Sequence, residues 1–398
     1  MQYIAKIVIL SRFDALSVSL ILKASLVQAG ADRSLRTKRK SKKGKDRPSH
    51  HVSYEFFRSQ MWPRLGHPPG CGTGASARVS ASAVFSEIVS YIRGSSLAVD
   101  TPSGELSQDQ YLSLPTKLAP TFRPDSPASD GLSRLAMYRT FEKYKKLQRE
   151  LNAWDSAQLV HSIYTQVKAH GWTGAPIDSL LVDEVQDFTQ AELRLLMLIV
   201  PKNKMVLAGD TAQTISRVGF RFQDLRSMFH DFAQAELEAG TPPKSRTVVP
   251  DVSQLRVNFR SHDGILCAAN AVIGTLMDIF PEAVDRLQPE KGVFGGPKPQ
   301  LIGDRETHML SRFVRASMGM SGPMDFGANV AIIVRSAAAK LTLPAEFREA
   351  LVLTVQESKG LEFNDVLIYN FAADSDLTVG QWATILRDDE LDVSQSRL

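Results

Sequence analysis

Cysteine is almost absent from this 398-residue chain, which holds only Cys71 and Cys267. The two stand far apart and lack metal-ligand spacing. A disulfide framework therefore has no basis, and a reducing compartment is the simpler reading. Long uncharged hydrophobic runs are missing too. The apolar stretches Tyr3 to Leu10 and Leu16 to Leu22 are interrupted or flanked by Lys6, Arg12, Asp14 and Lys23. None approaches the ~20 residues that a bilayer requires. Nor are positive charges grouped before one apolar core, as in a signal peptide. No repeat of fixed period is present. The charge excess is small, a formal +4, which permits a polyanionic partner without demanding one. The expectation is a soluble, intracellular protein with no membrane contact.

What is present is 43% hydrophobic content, ordinary for a globular protein, and enough length for two or three domains. Residues 33–47 gather Arg36, Lys38, Arg39, Lys40, Lys42, Lys43 and Lys45 with almost no apolar partner. Such a run cannot bury enough surface to fold alone and reads as a solvated, disordered linker. A nuclear-import signal or a nucleic-acid arm is the alternative, so nucleus and cytoplasm both stay open.

From His51 to Asp130 the pattern is uneven, with short amphipathic helices expected over Tyr54 to Trp62 and Ala83 to Ile92. Gly66 to Gly74 and Pro115 to Ser129 read as loops. Arg134 to Val167 reads as helical. The character then changes. Ser179 to Val182 is a short apolar run ending in acids, Glu192 to Ile199 is an amphipathic helix, and Lys204 to Ala208 is a second apolar run. Strand, helix, strand, with polar residues after each strand, describes an open parallel α/β sheet, whose ligands bind beside the strands' carboxyl ends. A second α/β block follows, with strand candidates at Leu255 to Val257, Asn329 to Val334, Leu351 to Thr354 and Val366 to Tyr369. A helix through Ile273 follows the first of these. Between the blocks, Ala239 to Pro250 has a hinge-like composition.

Four segments carry chemistry. Asp183-Glu184 closes the first apolar run. Nucleotide hydrolysis needs one carboxylate for the magnesium that neutralises the phosphates and a base for the attacking water, and adjacent acids at a strand end supply both. Standing alone, the pair would more simply be a solvated strand end. The second run ends in Gly209-Asp210-Thr211-Ala212-Gln213-Thr214-Ile215. Gly209 would let the backbone turn sharply, and Gln213 can bond both the attacking water and a terminal phosphate oxygen. Phe220, Arg221 and Phe222 follow, and aromatics beside a cation suit base stacking on a single strand. Helix packing explains Phe222 and Phe229 equally well.

The third segment is Asn258-Phe259-Arg260-Ser261, whose Arg260 can neutralise charge on a transferred phosphoryl group; alone it would more often be a surface ion-pair residue. The fourth is Thr354-Val355-Gln356-Glu357-Ser358-Lys359-Gly360-Leu361-Glu362-Phe363. Thr354, Ser358 and Lys359 can contact phosphates of a bound strand or nucleotide, and Glu362 offers an acceptor to a ribose hydroxyl. An ordinary helix start is the plainer alternative.

In this order the segments resemble motifs II to V of the UvrD/Rep-like superfamily 1 helicases: Asp-Glu-x-Gln-Asp, Gly-Asp-x-x-Gln-x-Ile, Asn-Phe-Arg-Ser and Ser-Lys-Gly-Leu-Glu-Phe. The resemblance covers Arg134 to Phe371. The surrounding sequence is most similar to the helicase region of large proteins that carry tetratricopeptide and ankyrin repeats. The resemblance implies two RecA-like P-loop NTPase domains, ATP and Mg2+ as cofactors in the cleft between them, and single-stranded DNA or RNA as partner. It gives Asp183 the metal and Glu184 the water. Gln213 becomes the γ-phosphate sensor, Phe259 stands where the family has an adenine-stacking Tyr, Arg260 becomes an arginine finger, and Glu362 binds the ribose. Tyr3 to Ser11 is read as a remnant of the motif Ia strand.

Departures accompany the resemblance. No Gly-x-x-x-x-Gly-Lys-[Ser/Thr] phosphate loop occurs in the chain, and Gly70 to Gly74 has no Lys and no preceding apolar strand. No motif VI is recognisable, Gln356 stands where many relatives have His, and Lys340 to Leu353 is too short for the large insertion of bacterial members. The expectation is therefore a fragment. Residues 1–50 are the motif Ia remnant and basic linker, 51–130 a helical insertion, 131–240 the latter half of RecA-like domain 1, and 250–398 part of domain 2. ATP hydrolysis coupled to movement on a strand is the implied function, with this chain alone ATPase-deficient. A partner chain supplying the phosphate loop is one way to complete the site. A degenerate, non-catalytic nucleic-acid-binding or scaffolding protein is the alternative.

Overall fold

Three apolar runs, Ile7–Leu10 (β1), Ser179–Val182 (β2) and Met205–Leu207 (β3), pair in parallel in the order β1-β2-β3. The computed structural model describes residues 7–10 by their backbone, and residues 50–66, 79–115, 122–124, 133–214, 219–279, 281, 285–300, 330–344, 347, 350–375 and 377–378. The basic run 33–47, Cys71, the Gly70 to Gly74 loop and most of Pro115 to Ser129 lie outside those residues. Leu180 faces Met205 and Val182 faces Leu207 across the sheet. Both strands thus end at the same edge, and the polar residues that follow them emerge side by side. Alternation puts Leu180 and Val182 on one face. They share a buried core with Leu193, Leu196 and Met197 of the helix Gln190–Ile199. That helix starts where Thr189 and Glu192 form a reciprocal capping box, the Glu192 carboxylate taking the Thr189 N–H at 2.8 Å.

The expected helix from Arg134 to Val167 is two helices, Arg134–Glu150 and Ser156–His170. Asn152 adopts a left-handed backbone (φ 49°), and Asp155 then caps the second helix in a box with Gln158. The Asp-x-x-Gln signal at 155–158 outweighs continuous helical periodicity. Asp155 is also held by Arg93, whose guanidinium bonds Gln148 at 3.1 Å and Glu105 at 3.2 Å, while Tyr144 donates to Asp155 at 3.0 Å.

The first of two structural units comprises residues 1–256 and 276–288. A second core of this unit is shared between described residues from Val52 to Phe122 and the helix Arg134–Glu150, and in it Phe57, Val84, Ile88, Ile92, Tyr111, Phe141 and Tyr144 are fully buried. Burying each such side chain stabilises by about 1.5–3 kcal/mol. Ala81–Glu87 runs directly into a π-helical turn, Ile88–Ile92. Glu87 sits in this core and accepts from the Tyr111 hydroxyl at 2.6 Å. Burial pushes its carboxyl up to about 7, against the pull of that bond and of the Arg134 charge.

The second unit comprises 257–275 and 289–398. Val330–Val334, Leu351–Thr354 and Asp365–Ile368 form a parallel sheet with Val330–Val334 central. Ile332, Val334, Ala339, Leu343 and Phe347 make its core. Val257–Asn258 pairs with Lys291–Gly292 beside the start of the helix Asp263–Ile279. The chain is thus of mixed α/β class, with small parallel sheets in both units.

Candidate functional site

Val182 is the last residue of β2, and the next two residues are Asp183 and Glu184. The Asp183 side chain is exposed, and its Oδ1 accepts the Glu184 N–H at 3.0 Å. Glu184 has a left-handed backbone (φ 54°, ψ 41°), a conformation that a non-glycine residue adopts at a cost of about 1–3 kcal/mol when held by its surroundings. The holding groups are visible. Glu184 O accepts from the Asp187 N–H at 3.0 Å, and Val185 N–H donates to Ala208 O at 2.9 Å, tying the turn to the end of β3.

Gln186, to which the sequence assigned no role, stands between the two motifs. It is fully buried. Its Nε2 donates to the Glu184 carboxylate, and its Oε1 accepts the Asp210 N–H at 3.0 Å. Asp210 in turn caps the short 3-10 helix Thr211–Gln213, accepting from Ala212 N–H at 2.9 Å and from Gln213 Nε2 at 2.8 Å. Glu184 and Gln213, paired only by family order in the sequence, are joined by this chain of bonds. Gly209 is needed here for space, not for a sharp turn. Its φ is not positive, and a Cβ would lie 2.3 Å from Gln186 Oε1. The one trace of this in the sequence was the Gln within Asp-Glu-x-Gln-Asp.

Phe220 is 6% exposed and packs edge-on against Phe222 at 5.3 Å within the core of the first unit. Its ring is thus used for packing, contrary to the expected stacking platform. Arg221 is half-buried beside Asp224, whose carboxyl is pushed up by burial, with Arg221 opposing. Phe222 N–H donates to Asp285 at 3.1 Å. Upstream of it, Gly219 N–H is bound by Ser90 of the π-helical turn at 3.0 Å. Ile215 lies outside the described residues.

In the second unit, Asn258 Oδ1 accepts the backbone N–H groups of Arg260 (2.9 Å) and Ser261 (2.8 Å), shaping the turn that displays Phe259, which is 78% exposed. Arg260 and Glu362, expected to bind different parts of a nucleotide, form an ion pair with each other at 2.5 Å. Thr354 is buried and spends its hydroxyl on a capping box with Glu357, at 3.0 Å and 3.3 Å. This follows the plainer helix-start alternative for that side chain. The Lys340 ammonium, with the Thr354 N–H and hydroxyl, holds the Glu357 carboxyl down at about 2. Ser358 donates to Val355 O at 3.1 Å, and Lys359 is half-buried in the following turn.

Magnesium usually keeps several waters and takes one or two protein carboxylates beside substrate phosphates. An exposed carboxylate at the carboxyl end of a parallel strand fits that need, and Asp183 is such a group. Among the described residues no cluster of three His, Cys, Asp or Glu side chains could cage a metal by itself. No helix among them is long and apolar enough to cross a membrane.

Comparison with known proteins places these features. Residues 82–232 match the UvrD/REP helicase N-terminal domain, a span that includes Asp183 to Gln213 and begins well before Arg134, where the sequence resemblance starts. The chain is also similar to a human protein, TPR and ankyrin repeat-containing protein 1, at 36% identity over 341 residues. That alignment covers 84% of this chain and 11% of the human protein, so the chain spans about a tenth of that relative's length.

Proposed function

Because residues 82–232 carry a UvrD/REP helicase N-terminal domain, we propose that this chain supplies the metal-holding and water-activating part of an ATP-dependent nucleic-acid helicase or translocase. The observation that carries the proposal is the hydrogen-bonded run from Glu184 through Gln186 and Asp210 to Gln213. It fixes a carboxylate and a carboxamide at the ends of adjacent parallel strands, where α/β sheets bind ligands.

In this proposal Asp183 holds Mg2+, Glu184 accepts a proton from the attacking water, and Gln213 contacts the terminal phosphate. Bound magnesium and ATP would supply charge neutralisation and the phosphoryl group. Phe259 offers an exposed ring for adenine, Glu362 an acceptor for ribose, and Arg260 a positive charge for the phosphates. The last two roles require the Arg260–Glu362 pair to part, which costs little at an exposed site. Single-stranded DNA or RNA is the proposed track, with Arg221, Ser358 and Lys359 as contacts. Without a phosphate-loop sequence, the residues of this chain are proposed to be ATPase-deficient by themselves, and a partner chain that supplies the loop is one way to complete the site.

A non-catalytic nucleic-acid-binding or scaffolding role is the second reading. The Arg260–Glu362 pair favours it, since each of these charges has a partner within the chain. Strand binding measured against salt, with and without Mg-ATP, separates the two. A helicase component binds the strand differently when Mg-ATP is present; a scaffold loses affinity with salt and ignores ATP.

A further inference from the structure

We propose that Gln186 is a positioning residue that transmits the state of the Glu184 carboxylate to the Gln213 side chain through Asp210. This rests on the roles proposed above for Glu184 and Gln213. The chemistry lies in the two ends of one carboxamide. Nε2 can only donate and meets a carboxylate; Oε1 can only accept and meets a backbone N–H. A carboxylate at 186 would present an acceptor to Glu184, and a thioether would provide neither bond, so the position selects for an amide.

The amide has no room to swing away. Gln186 is fully buried, and the place a Cβ would take at residue 209 lies 2.3 Å from its oxygen. On one side, the left-handed backbone of Glu184 and its bond to the Asp187 N–H fix the direction from which the carboxylate arrives. On the other, the Asp210 N–H that Gln186 holds belongs to the residue whose carboxylate binds both Ala212 N–H and Gln213 Nε2. A displaced Glu184 carboxylate therefore moves the amide, the amide moves the Asp210 backbone, and the Thr211–Gln213 turn follows. With Gln186 buried at its middle and Glu184 and Asp210 half-buried on either side, the chain of bonds acts as a unit because each bond polarises and orients the next, and it ends at the exposed Gln213.

The test needs no catalysis. Glutamine-selective 15N labelling of the chain reports the Gln213 side-chain NH2 resonance, identified by its loss in Gln213→Leu. Glu184→Ala is then introduced into the wild-type, Gln186→Met and Gln186→Glu backgrounds. The expected result is a displaced Gln213 NH2 signal on Glu184→Ala when Gln186 is present, and loss of that response in either position-186 variant. Gln186→Glu keeps an acceptor for the Asp210 N–H and serves if Gln186→Met fails to fold. The same displacement in a folded position-186 variant as in wild type, or no displacement in wild type, overturns the proposal. Absence of Mg-ATP binding when a phosphate-loop-bearing polypeptide is added to a chain that shows the response would instead count against the nucleotide roles and leave the coupling standing.

Discussion

Arg260 and Glu362 lie about a hundred positions apart in sequence and meet as an ion pair at 2.5 Å, although both side chains are largely exposed. Exposed pairs contribute about 0–1 kcal/mol, because water screens them and two long side chains must be ordered. Glu362→Gln is expected to shift the unfolding free energy by no more than about 1 kcal/mol. A larger loss in urea denaturation would assign the pair a structural role and weaken its assignment to nucleotide.

Arg93 presents the opposite case. It is 5% exposed and pairs with Asp155, itself buried. Arg93→Leu leaves that carboxylate uncompensated next to Tyr144, a change that typically costs about 3–5 kcal/mol. Denaturant unfolding followed by circular dichroism should show a loss of that order. Because Asp155 also caps Ser156–His170, helical signal should fall as well.

The buried Glu87 sets a pH dependence with a definite sign. Its carboxyl is pushed up to about 7 from an ordinary 4.5. The folded state therefore holds a proton there that the unfolded state gives up. Stability from this group is complete below about 4.5 and is lost as pH rises through about 7, by roughly 3 kcal/mol in all. Glu87→Gln should flatten the fall in unfolding free energy across that window. An unchanged slope would show that another group is responsible.

Gly209→Ala should destabilise by about 1–3 kcal/mol through overpacking against Gln186. In a Gln186→Ala background the penalty should shrink, since the clashing oxygen is gone. Additive effects of the two substitutions would contradict the close approach.

Much of the frame was legible before the fold. Ser179–Val182 and Leu351–Thr354 are short apolar runs, and both are strands with those ends. What escaped depended on local competition or distance. The break after Glu150 turns on one capping box at Asp155, which a periodicity argument passes over. Phe220 was expected to stack on a strand from its place beside Arg221, and only its packing against Phe222 and the rest of the core shows the ring buried. The Arg260–Glu362 pair has no local signature at all. Gln186 was in plain view, yet its task depends on Gly209 and Asp210 approaching from another strand.

ATP hydrolysis in the presence of magnesium and a single strand tests the central claim most directly, measured for this chain alone and with a phosphate-loop-bearing polypeptide added, each with and without Glu184→Gln. The account predicts background turnover for the chain alone, and strand-stimulated turnover with the added polypeptide that Glu184→Gln abolishes. Strand-stimulated turnover by the chain alone, or turnover with the added polypeptide that is indifferent to Glu184→Gln, would contradict it.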